Sequence, residues 1–163
     1  MYNHILIGFD DSEDSMKALG RAAQFYMLNP NCKITVAHVI QQHIYDMAYN
    51  YDFSVAPNIA GGVYPTQIPV PDNELPLETQ ETIRDSQILD HAKSFLLSKG
   101  VPAKFESLGG KPVNDDLCDF ASEQDVDLII VGNSGKGALK KLLEGSVSEK
   151  VMKKAEMDVL IVK

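Results

Sequence analysis

Three glycines and a serine are spaced in a way that suits phosphate chemistry. Gly132-Asn133-Ser134-Gly135 is followed, after nine residues, by Gly145-Ser146-Val147. Glycine admits positive φ and lets a backbone come close to a bound group. Gly145-Ser146 opens a helix whose apolar positions are Val147, Val151 and Ala155. The start of a helix presents free N–H groups and the positive end of its dipole, which favour an anion. Lys136 is within reach of the same anion, and Leu139, Leu142 and Leu143 can anchor the intervening loop. The spacing is neither the Walker A loop, which needs G-x-x-x-x-G-K-[ST], nor the dinucleotide fingerprint G-x-G-x-x-G. Ser146-Val147-Ser148-Glu149 is also a capping box, which needs no ligand. Ser146 alone favours capping. The full glycine spacing, after an apolar run and before a helix, favours phosphate.

A second group of polar residues stands after the first apolar run. Ile5-Leu6-Ile7-Gly8-Phe9 leads into Asp10-Asp11-Ser12, where a carboxylate can accept hydrogen bonds from sugar hydroxyls. Asp10 could instead cap the next helix, a task open also to Asp11 or Ser12. His4, His38, His43 and His91 show no metal-ligand spacing, and His38, inside a strand, reads as a packed or hydrogen-bonded core residue. No Ser/His/Asp or Cys/His arrangement marks a catalytic residue. Asp115 and Asp116 fall in a first helical turn, where acids complement the dipole.

The elements that position these groups follow from periodicity. Apolar runs near 4–9, 34–39, 103–107, 128–131 and 159–162 read as strands. Met16, Leu19, Ala23 and Tyr26 mark a helix, as do Ile88, Ala92, Phe95 and Leu96, closed by Gly100, and Val113, Leu117, Phe120 and Ala121. The alternation predicts an α/β fold: a doubly wound open sheet of five mainly parallel strands with helices on both faces. Ligands of such sheets bind outside the carboxyl ends of the strands, here those ending near Phe9, Val39 and Val131. Residues 41–78 break the rhythm and hold five of the eight Pro and five of the twelve aromatic residues. A mobile insert within a single domain spanning 1–163 is expected.

Composition limits the partners. The net charge is −8, which argues against a nucleic-acid surface. Residues 133–155 carry six Lys against two Glu, so a local positive segment sits in an otherwise acidic chain and suits a small anion. Lys153 and Lys154 are read as solvated residues of a surface helix. Cys32 and Cys118 form no metal or redox pair and are expected to be buried thiols. No leader is evident and no apolar run approaches the roughly 20 residues of a membrane span, so a cytoplasmic location and no membrane partner are expected.

The pattern G-x2-G-x9-G-[ST] resembles the phosphate loop of ATP-binding universal stress proteins. The opening Ile5–Glu13, His38-Val39 and Val159–Val162 resemble the first strand and turn, second strand and last strand of that family. The resemblance covers the chain outside 41–78. It implies that Asp10 meets the adenosine moiety, with Gly8 beside the base and the Val39 backbone on adenine. It places Gly132, Gly135, Gly145, Ser146 and Val147 at phosphate and ribose. ATP, or ADP or AMP, would be the ligand, with magnesium bridging the phosphates. Two positions depart from the family pattern: Ser134 where His is frequent, and Asp11 where Gly is frequent.

The implied function is a nucleotide-binding stress-response regulator in which occupancy acts as a switch and hydrolysis is slow. The alternatives are an ATPase or nucleotidyl-transfer enzyme, and a phospho-acceptor domain suggested by Asp10-Asp11. The last needs an Asp at the end of the middle strand, which reads Phe105-Glu106-Ser107 instead. The apolar strand 159–162 suggests a homodimer through an exposed sheet edge, as does the resemblance.

Overall fold

The computed structural model describes residues 1–40, 77–133 and 147–163. Nine elements follow in the order β1 (His4–Gly8), α1 (Glu13–Leu28), β2 (Lys33–Ile40), α2 (Leu77–Ser98), β3 (Lys104–Gly109), α3 (Val113–Glu123), β4 (Leu128–Gly132), α4 (Val147–Lys154) and β5 (Asp158–Val162). The five strands form one parallel sheet in the order β3-β2-β1-β4-β5. The order reverses at β1, whose neighbours are β2 on one side and β4 on the other.

The unbroken apolar runs of β1 and β4 reflect burial on both faces. Ile5, Ile7, Ile34, Val36, Leu128 and Ile130 meet Ala18, Leu19 and Ala22 of α1 and Ala92 and Leu96 of α2. On the other face Leu6, Ala37, Ile129 and Val131 meet Leu117 and Ala121 of α3 and Val151 of α4. Each fully buried Leu or Ile contributes about 1.5–3 kcal/mol relative to exposure. Ala18, Ala22 and Ala23 fall on one face of α1, which lets that helix lie close to the sheet.

Helix ends are set by local chemistry. Ser12 caps α1, its side chain accepting from Ser15 N at 3.2 Å. α2 closes on Gly100 at φ 67°, with Gly100 N donating to Leu97 O and Val101 N to Leu96 O. That is the paired bonding of a left-handed cap. At the amino end of the sheet Asp127 accepts from the backbone of Asn3 at 2.6 Å and of His4 at 2.9 Å. Those bonds hold its carboxyl below the ordinary Asp range. The His4 ring joins Gln124 O and Thr35 Oγ1, so it ties β1 to its surroundings.

Several sequence expectations are met and some are corrected. Cys32 and Cys118 are buried, and burial raises both thiols. β3 extends to Gly109 and is an edge strand, so the strand counted as the middle one is not central; the centre is β1. α2 begins at Leu77, inside the segment taken as insert; the rest of that segment, 41–76, lies outside the described residues. Lys154 is not merely solvated: it bridges Asp115 at 2.7 Å and Asp119 at 3.0 Å, and Lys111 also reaches Asp119. Lys153 pairs with Glu149 one turn away. Among the described residues no helix is long and apolar enough to cross a membrane.

Gly20 lies inside α1, and a Cβ built there meets nothing within 4 Å. Gly20→Ala is expected to raise unfolding free energy by about 0.5–1 kcal/mol in urea titration, because it removes chain entropy from the unfolded state without a new clash.

Candidate functional site

Register places the sequence-selected residues of three strands at one edge. Gly8 pairs with Ala37 on β2 and with Val131 on β4. Val39 lies two residues beyond Ala37, and Gly132 one beyond Val131. The carboxyl ends of β2, β1 and β4 therefore stand side by side where the strand order reverses, the position at which open α/β sheets receive ligands.

The turn after β1 is the most closely specified part of this edge. Phe9 N donates to Ala37 O at 2.8 Å, which carries the β1–β2 pairing one residue past the strand. Phe9 O meets His38 Nδ1 at 2.9 Å, and His38 is buried. The expectation of a hydrogen-bonded core histidine is thus met. Asp10 is exposed. Its Oδ1 accepts from Ser12 N at 3.1 Å, and no donor among the described residues reaches Oδ2. Because Ser12 supplies the cap of α1, Asp10 is not needed for that task. Asp11 has φ 60°, the left-handed region in which glycine is easiest. Its carboxylate meets His91 of α2 at 2.9 Å. No local pattern signals this pair, whose members are 80 residues apart.

Gly8 and Gly132, the candidate site glycines among the described residues, both sit in close packing. A Cβ on Gly132 would lie 2.8 Å from Asp14 C and Ser15 N, inside the first turn of α1. A Cβ on Gly8 would come within 3.1 Å of Leu117 and 3.2 Å of Val131. The family resemblance implies ligand contact for both; in the fold, a Cβ at Gly132 would strike the α1 backbone and one at Gly8 would press on neighbouring side chains. Val39 is buried against the α3 and α4 face, leaving its backbone as the part available at the edge.

Past β4, Asn133 N donates to Val162 O at 2.7 Å, and Ser148 Oγ donates to Asn133 O at 3.5 Å. The first turn of α4 is thereby brought to the end of β4, and Val147, its first residue, packs on the second core. Gly8, Asp10, Val39, Gly132 and Val147 are gathered at the carboxyl edge. Gly135, Gly145 and Ser146 lie outside the described residues, as does Lys136.

Charge is distributed unequally over the helix starts at this edge. α1 has Glu13 and Asp14 in its first turn, so its dipole is already answered by its own acids. α4 has Glu149 in its first turn and Lys153 and Lys154 in its last. Both helix starts therefore carry acid, two residues on α1 and one on α4.

Comparison with known proteins gives the family and the fold. The model of the universal stress protein family matches residues 1–163. The chain belongs to the universal stress protein family. It is 30% identical over 164 residues to the universal stress protein YxiE of Bacillus subtilis, covering 100% of both chains. It is 31% identical to a universal stress protein of Methanocaldococcus jannaschii, covering 100% of this chain and 96% of the other. The solved structure of that archaeal protein superimposes with a TM-score of 0.70 at 27% identity, covering 100% and 96% of the two chains. A universal stress protein of Archaeoglobus fulgidus in complex with dAMP shares the fold, with a TM-score of 0.63 at 22% identity over 99% and 98% of the chains.

Gly132→Ala is expected to cost about 1–3 kcal/mol in denaturant titration, because the new methyl must push the backbone of α1 away from β4.

Proposed function

We propose that this universal stress protein is a cytoplasmic adenine-nucleotide receptor, with ATP the favoured ligand, in which occupancy of the carboxyl edge acts as a switch. The observation that carries the reading is the convergence of Gly8, Asp10, Val39 and Gly132 where the strand order reverses, with the start of α4 beside them. The residues suit the ligand. Asp10 offers a carboxylate oxygen that no described donor occupies, fit to accept from ribose hydroxyls. The Val39 backbone suits the base. Gly135, Gly145, Ser146 and the first N–H groups of α4 suit the phosphates. Magnesium belongs to the proposal because phosphate oxygens and water supply the oxygen donors it prefers. The dAMP complex of the Archaeoglobus protein concerns that protein, and it suits the same class of ligand on this fold.

Calorimetric titration of ATP, with and without magnesium, tests the reading. Wild type should bind at micromolar concentration, and Gly135→Val combined with Gly145→Val should abolish binding while circular dichroism stays native. Those glycines are better probes than Gly132, whose replacement disturbs packing. A folded wild type that takes up no ATP would overturn the proposal.

A homodimer through β5 is part of the same reading. β5 is an edge strand, and Val159, Leu160 and Ile161 are only half-buried. Beside it runs an open groove of about 420 Å³, lined in part by Phe25, Leu28, Leu160 and Val162. Leu28 is 77% exposed. An unpaired edge beside exposed apolar side chains suits a second copy of the chain. Sedimentation velocity at micromolar concentration should give a dimer, and a single monomeric species would refute that part.

A further inference from the structure

His91 is mostly exposed, and its contact with Asp11 resembles a surface ion pair of small consequence. Its place in the fold gives it a sharper role. Among the described residues only Asp11 and Asp125 have positive φ without being glycine. A left-handed residue other than glycine crowds its own Cβ, and Asp is among the residues that adopt this conformation most readily. The Asp11 carboxylate meets His91 of α2. Asp11 is also the residue that separates Asp10 from Ser12, and Ser12 N donates to Asp10 Oδ1. If Asp11 leaves the left-handed region, that bond cannot keep its geometry and the Asp10 carboxylate loses its support.

The structure assigns His91 as a positioning residue: by holding Asp11 left-handed it fixes the Asp10 carboxylate at the carboxyl edge of the sheet. The inference rests on the nucleotide reading of that edge. It joins α2, which follows residues 41–76 in the chain, to the group proposed to read the ribose. It also accounts for an Asp where glycine would be the easier residue. Glycine would hold the turn unaided, whereas Asp holds it with α2 in place, so affinity for the nucleotide becomes sensitive to the position of that helix.

The test is a double-mutant cycle on the full chain with two readouts. ATP affinity is measured for wild type, His91→Ala, His91→Gln, Asp11→Gly and the Asp11→Gly/His91→Ala pair. His91→Ala should weaken ATP binding about three- to fivefold, the range an exposed pair can supply. His91→Gln, which keeps a side-chain donor, should recover most of the loss. In the Asp11→Gly background, removing His91 should change nothing. In parallel, the nucleotide-free proteins are compared by the amide resonances of Asp10 and Ser12. These should move in His91→Ala and stay in place when His91 is removed from Asp11→Gly. Equal losses in both backgrounds, or no effect of His91→Ala in either readout, would overturn the assignment. If wild type binds no ATP, the nucleotide reading fails and the resonances alone decide: movement confined to the Asp11 background sustains the role of His91 in holding Asp10, and its absence removes it.

Discussion

The contact between Gly132 and the first turn of α1 sets the spacing of the whole carboxyl edge. At that point the end of β4 and the backbone of Asp14 and Ser15 leave no room for a single methyl group. The approach fixes where α1 begins, and Ser12 caps α1 on the spot. The cap in turn fixes Ser12 N, from which Asp10 accepts. On the opposite face a Cβ at Gly8 would press less severely, on the side chains of Leu117 and Val131. Residues chosen for their apparent fitness to touch a ligand are therefore also the residues that let the layers touch one another. Close-packed interiors transmit such constraints, because no void remains to absorb a displacement.

The electrostatics of the edge follow from the same layers. The start of α1 carries two acids of its own, whereas α4 is tied by Lys154 to Asp115 and Asp119 of α3. Both carboxylates contact the ammonium, which raises the Lys154 pKa above the ordinary lysine value, while Lys111 and Lys154 together lower that of Asp119. The lysines are exposed and the two carboxylates partly so, so water screens the network and it orients the two helices more than it stabilises them. Part of the positive charge seen in the segment 133–155 is thus already matched by α3, and the charge available to a ligand is smaller than the composition alone suggests.

The strands and the order of the elements were legible because burial on both faces leaves an apolar run that periodicity can find. Ile5-Leu6-Ile7 and Leu128–Val131 are of this kind, and their register follows once the helices between them force a parallel sheet. Asp10 and the strand end at Val39 are marked by local chemistry, whereas the contacts assigned to Val39 and Val147 rest on the family resemblance. What could not be read was anything that depends on tertiary approach. The packing role of Gly132 needs α1 beside β4, and the pairing of Asp11 with His91 needs α2 over the β1 turn. The edge position of β3 also needs the strand order, which sequence numbering misrepresents. His38 was legible in kind but not in partner, since the Phe9 carbonyl it meets belongs to the turn after β1.

The central place of β1 has a consequence during synthesis. β1 pairs with β2 a short way downstream, but its other neighbour is distant: Ile5 lies beside Leu128. At about 5–20 residues per second the ribosome delivers β4 roughly 6–25 s after β1. Throughout that interval the nascent chain holds a strand destined for the middle of the sheet with one whole edge unpaired. Non-local pairing of this kind is slow to form and open to wrong partners in the meantime. The topology that brings three strand ends together therefore makes the growing chain most vulnerable along the β1 edge that β4 later closes.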